Sequence, residues 1–286
     1  MLLPHGSLGT RGKKGDLMIQ RTRKLAITIV AFYATLSGVF SFADDDAARA
    51  KLAEAKLQYA KRFDMAALDA SHHSLALALE AVASPDLKFE VLVFDSRVLY
   101  AKGSKTVGDK NKIVVYAQAL NQAAEAKAVN PNLAEAYFWY AANLGRWAEA
   151  NGILASLKRK KELIENTEAV YDRETQDAKP GEDYEDRGAD RILGRLYFKL
   201  PGFAGGSQEK ALRYLSVAYE KGRQYALNVV YYAETLYAGG AADKDRARQI
   251  LDELLSHDPA AYHPNRVPET LEEFDMARKL RSEMNR

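Results

Sequence analysis

From about residue 46 almost to the C-terminus, apolar residues recur at three- and four-residue intervals. Sustained alternation flanked by hairpin turns appears nowhere. That period predicts amphipathic helices and no sheet. The helices fall at 46–62, 64–82, 87–101, 113–129, 134–149 and 152–171, then at 189–200, 208–221, 227–237, 244–256 and 270–284. Proline marks several breaks: Ser84-Pro85, Asn130-Pro131 and Asp258-Pro259, with Pro264 and Pro268 ahead of the last helix. A ring-locked residue without an N–H cannot continue a helix and also restricts the residue before it. A polar stretch at 102–112 and a charged one at 172–187, containing Pro180-Gly181, read as the long loops.

Within the helices, small and large residues repeat in register. The central joint gives Ala119, Ala123, Ala126 and Pro131, then Tyr140, Ala141 and Leu144. A second hairpin gives Leu193, Gly194 and Tyr197, then Ala211, Leu215 and Ala218. The last gives Tyr232, Ala233 and Leu236, then Ala247, Leu251, Leu254 and Pro259. Small residues at fixed places let paired helices approach, and the large ones fill the space between pairs. The pattern resembles the tetratricopeptide repeat and implies an all-α fold, an α-solenoid of stacked antiparallel helical hairpins. The array is divergent: His73 stands where the first hairpin needs a small residue, and insertions stretch the middle period past about 34 residues. The expected organisation is an N-terminal extension and signal peptide at 1–43, a repeat domain at 44–262, and a tail with a short helix at 263–286.

The first segment reads as a targeting signal. Arg21-Thr22-Arg23-Lys24 precedes an apolar run from Leu25 to Phe42, and Ser41-Phe42-Ala43 leads into Asp44-Asp45-Asp46. A cationic region, an apolar region and small residues at a junction describe secretion with cleavage after Ala43. Met18 offers an alternative start. An uncleaved inner-membrane anchor is the rival reading, because about 18 apolar residues can span a bilayer. The chain carries 41 Lys and Arg against 39 Asp and Glu, net +2, but the segment 1–43 holds six basic residues and one acidic. Its removal leaves a net charge of −3, so the overall basicity is no argument for nucleic acid. With no Cys in the chain, disulfides, thiolate metal sites and a Cys nucleophile are excluded. The expected location is the periplasm.

The run Leu193-Gly194-Arg195-Leu196-Tyr197-Phe198-Lys199-Leu200-Pro201-Gly202-Phe203-Ala204-Gly205-Gly206-Ser207-Gln208-Glu209-Lys210-Ala211 is more specific than a generic repeat. Together with the block from Tyr137 to Gly145, it resembles the T-component family associated with TRAP-type transporters. The resemblance covers about residues 113–257. It implies a periplasmic helical-repeat protein working beside a substrate-binding protein and a membrane permease. Members of that family are often lipoproteins; this chain lacks the Cys such attachment needs.

Arg187, Arg191, Arg195 and Lys199 lie at i+4 spacing, a cationic stripe on one helical face. The stripe fits an anionic ligand gripped by guanidinium forks, or a solvated face paired with Asp186, Asp190 and Glu209. Phe138, Asn143 and Tyr237 join it on the expected concave face, where aromatics can grip a ligand or serve as core between hairpins. Gly205-Gly206-Ser207 reads as a tight connection and N-cap. The 103–110 loop lacks the Gly-Lys-Ser/Thr order of a phosphate loop, and neither Gly-x-Ser-x-Gly nor His-Glu-x-x-His occurs. His72, His73, His257 and His263 lack ligand spacing, so no metal or cofactor is expected.

The expected function is therefore a non-enzymatic binding or scaffold protein, an accessory component of a TRAP-type solute transporter. A generic repeat adaptor for envelope protein assembly and an unrecognised enzyme are the alternatives. Expected partners are a protein such as a transporter's substrate-binding protein, a small anionic ligand, or further copies of the chain, and not nucleic acid.

Overall fold

The computed structural model describes residues 45–285; the signal segment and its cleavage junction lie outside them. The described chain is an all-α solenoid of helical hairpins, with twelve helices and no strand among the described residues. Five hairpins follow one another: α1 (45–59) with α2 (Met65–Ala81), α3 (Pro85–Lys105) with α4 (Asp109–Val129), and α5 (Ala134–Asn151) with α6 (Ile153–Tyr171). Then come α7 (Gly188–Lys199) with α8 (Gln208–Gly222), and α9 (Ala226–Tyr237) with α10 (Ala241–Leu255). The short α11 (Pro259–Tyr262) leads to α12 (Val267–Glu283), which packs on α9 and α10. No described helix is long and apolar enough to cross a membrane.

The repeat positions do what their sizes demand. Ala119, Ala123 and Ala126 of α4 are fully buried, as are Ala141 of α5, Ala211 and Ala218 of α8, Ala233 of α9 and Ala247 of α10. A Cβ added at Gly194 would stand 2.4 Å from Leu215 Cγ, so α7 and α8 touch through a position only glycine fills without displacement. The helices α3, α5, α7 and α9 also contact one another in succession and form the inner layer. Buried polar groups knit that layer. Ser96 Oγ donates to Ala119 O at 2.9 Å, and Asn143 Nδ2 donates to Trp139 O at 2.8 Å and to Ser96 Oγ at 3.1 Å.

The polar stretch expected as a loop at 102–112 is a loop only at 106–108. Helix α3 continues through Gly103, where the Tyr116 ring packs directly over the missing side chain, and α4 restarts at Asp109 after Gly108 takes a φ of +85°.

The second expected loop, 172–187, holds but is built rather than slack. Arg173 Nε donates to Pro131 O at 2.9 Å and Ala134 N to Glu174 O at 2.9 Å, which folds the segment onto the α4–α5 joint. It ends in three consecutive left-handed residues, Glu185, Asp186 and Arg187, with φ of 51°, 55° and 64°. Such residues cost about 1–3 kcal/mol each without a glycine. Asn228 Nδ2 donates to Asp186 O at 2.8 Å and Arg191 Nη1 to Glu185 O at 3.2 Å, so side chains from α7 and α9 hold the turn from both sides.

The solenoid curls until its ends meet. Arg62, just past α1, donates from Nε and Nη2 to the Glu269 carboxylate of α12 at 2.5 and 2.8 Å, and from Nη2 to Asn265 O at 3.1 Å. Lys105 at the end of α3 pairs with Glu272 of α12 at 2.7 Å. These ties close the inner layer into a ring.

Candidate functional site

The ring encloses a lumen. Its larger chamber, about 580 Å³, lies between α5, α7 and α9 and reaches Met276 of α12; a smaller one of about 150 Å³ continues toward α1, α3 and α12. The two share Tyr100, Trp139, Arg146, Tyr225 and Tyr231 as common wall. A third cavity of about 310 Å³ opens on the other side of the strained turn. Glu185 borders all three, which is what the left-handed turn accomplishes: it swings one carboxylate into the middle of the ring. There Glu185 faces Arg97 at 3.4 Å and Arg266 at 3.7 Å.

Cations outnumber anions among the charged residues of the wall. Among the described residues, eight Arg and Lys side chains line the two linked chambers against five Glu. Aromatic faces carry several of them. Arg191 and Arg266 both stack on Tyr225, at 3.9 and 3.5 Å from its centroid, and Arg195 lies over Tyr231 at 4.1 Å. Stacking lets a guanidinium stay charged where water is scarce. Burial pushes the Tyr231 phenol up to about 12, so it stays neutral in the physiological range.

The stripe read from the sequence divides here. Arg187 is buried and taken by three carboxylates: Asp190 at 2.8 Å, Glu182 at 3.0 Å and Asp183 at 3.2 Å. Arg191 is also buried, lines the large chamber, and donates to Asn228 Oδ1 at 2.9 Å. Arg195 borders the chamber and pairs with Glu234. Lys199, half exposed at the rim, meets the same carboxylate at 2.9 Å. Burial pushes Glu234 up, but the Arg195 charge and hydrogen bonds from Lys199 and Arg195 outweigh it and hold the carboxyl below its ordinary range.

Of the other expected residues, Phe138 lines the chamber, edge-on to Trp139 and Tyr184 at 5.2 Å each. Asn143 is fully buried in the α3–α5 contact, and Tyr237 packs under Lys244 and Arg248 away from the lumen, its hydroxyl 3.4 Å from Met284 O.

The sequence reading passed over Arg146. It sits on α5, lines both chambers and donates to Glu149 at 2.7 Å. Arg146 and Arg195 each leave a buried Nε–H without an acceptor. An unmet buried donor of this kind costs about 1–3 kcal/mol; both atoms are closed off from the chamber, and the guanidiniums meet it through their terminal nitrogens. A signal for Arg146 was present: Ala141, Ala142, Gly145 and Ala148 form a small-residue face on α5 with an arginine set in it.

Among the described residues, no group of three or more His, Asp or Glu is arranged to hold a metal ion. Compared with known protein families and with curated proteins, the chain matches none.

Proposed function

We propose that this chain is a non-enzymatic binding protein of the bacterial envelope whose ring lumen holds an anionic ligand. The observation that carries the reading is the cation-rich lumen itself, a chamber of ligand size in a chain with net charge −3 once residues 1–43 are set aside. The lining carboxylates Glu149 and Glu185 both face arginines, which suits a charge-balanced binding wall better than a free general base. The resemblance of residues 193–211 to the T-component family extends the proposal to an accessory role at a TRAP-type transporter, with a substrate-binding protein as partner.

The test uses Arg195→Glu/Lys199→Glu, because both side chains are partly exposed and neither belongs to the buried Arg187 cluster. Envelope extract passed over immobilised wild type should yield partner protein and bound anions, and the reversed variant should lose both while its helical circular dichroism is unchanged. Equal recovery on both would remove the lumen from the function. N-terminal sequencing of protein from an envelope fraction should begin at Asp44; a start before residue 25 would overturn cleaved export.

A further inference from the structure

The chamber has a definite chemistry, and three features of its wall converge on one class of occupant. The first is shape. Ala141, Ala142, Gly145 and Ala148 present a face of α5 with almost no side-chain bulk, and a Cβ built on Gly145 meets nothing within 4 Å. Opposite stand Ile192 and Leu196 of α7 and Leu200 just past its end. Ile192 and Leu196 pack against the cluster that holds Ala141, and beyond that contact the α5 face opens on the chamber, where nothing reaches Gly145.

The second feature is the pair of guanidiniums. Arg146 from α5 and Arg195 from α7 each use Nη1 on a protein carboxylate, Glu149 and Glu234, and have no protein acceptor at Nη2, while both side chains line the chamber. A carboxylate offers two oxygens with about four lone-pair directions, enough to receive donors from both walls. The third is charge. Glu234 serves both Arg195 and Lys199, so one cation of that group is uncompensated. A single added negative charge balances it.

We infer that the occupant is an amphiphilic monocarboxylate, its head group received by Arg146 and Arg195 and its hydrocarbon body lying along the small-residue face of α5. The inference rests on the lumen being a ligand site. The mouth suits this class: Lys199 and Leu200 line it, and Lys199 is half exposed. Lys160 Nζ donates to Ala204 O at 2.8 Å and ties α6 to the α7–α8 turn.

Calorimetric titration of the full chain with butanoate, octanoate and dodecanoate tests it, beside octanol, methyl octanoate and octanedioate, with Trp139 fluorescence as a second readout. Affinity should rise with chain length, and octanoate should bind at least about tenfold tighter than its alcohol or ester, as for loss of a charge-assisted hydrogen bond. Arg146→Gln/Arg195→Gln should remove that preference while the alcohol binds as before. Gly145→Leu should abolish binding of the whole series with helical signal intact and melting temperature unchanged or higher, since alanine-like side chains suit a helix interior better than glycine. Equal affinity for octanoate and octanol would overturn the head-group assignment. Preference for octanedioate would overturn the monoanion class and leave the anion-binding lumen standing. No binding by any of the series would overturn the inference, and the envelope pull-down then decides separately whether the lumen binds anything.

Discussion

Two members of one four-residue stripe have opposite fates. At its start, Arg187 is the left-handed cap residue of α7, sunk among Asp190, Glu182 and Asp183, with Tyr171 completing the coordination of Asp190 at 2.8 Å. Eight residues later, Arg195 rests on Tyr231 at the chamber wall and shares its one carboxylate with Lys199. Spacing put the four cations on one face; what each does is set by the neighbours that face meets. Where the 172–187 segment folds over α7, the charge becomes part of the architecture. Where the inner layer opens around the lumen, the same charge stays available to something else.

The sharpest way to break this comparison is Asp190→Ala, which removes the most buried of the three carboxylates around Arg187 and the acceptor of Tyr171. Stranding a buried charge costs about 3–5 kcal/mol; with Glu182 and Asp183 still in place the loss read by urea denaturation should lie near the low end, about 3 kcal/mol, and a change below about 1 kcal/mol would make Arg187 no different from Arg195. Next comes Glu273, the α12 carboxylate that burial pushes up to about 7 from 4.5 despite Arg266 and Arg191. With the folded-state value the higher, its contribution is fully present below pH 4.5 and is lost as pH rises through 7. Glu273→Gln, neutral throughout, should match wild type at pH 4 and exceed its stability at pH 8 by up to about 3 kcal/mol. Thermal melts across that range check the sign.

Gly194→Leu should cost about 1–3 kcal/mol by overpacking α7 against Leu215, and because it rolls the helix that carries the stripe, it should weaken carboxylate binding as well. The smallest stability effect belongs to Glu234→Gln, under about 1 kcal/mol for a partly exposed pair. That substitution frees Arg195 and Lys199, so octanoate should bind more tightly to it than to wild type.

The fold was legible because its rules are local. Alanine or glycine at the crossing points, proline at the joints and the 3.6-residue period are all visible within one hairpin. The error at 102–112 came from reading polarity as loop, when Gly103 was kept small by Tyr116 from the next helix. The lumen was only half legible. Arg191, Arg195, Lys199 and Phe138 follow from the repeat register, but Tyr231, Arg146 and Met276 become neighbours only when α5, α9 and α12 are brought around the ring. Asn143 satisfies the same register, yet its Nδ2 turns inward to Ser96 and Trp139 while its Oδ1 is buried without a partner.

A row of stacked hairpins ordinarily opens from its termini, because each end unit has one neighbour where an interior unit has two. The ties from Arg62 to Glu269 and from Lys105 to Glu272 give both end units a second neighbour, so this array has no ends to fray. Amide hydrogen exchange should accordingly be slow and even from α1 to α12 at low ionic strength. Salt screens the partly exposed ties far more than it weakens the apolar contacts within hairpins. At about 1 M salt, exchange should grade from fast at α1 and α12 to slow at α5, the profile of an open chain of repeats.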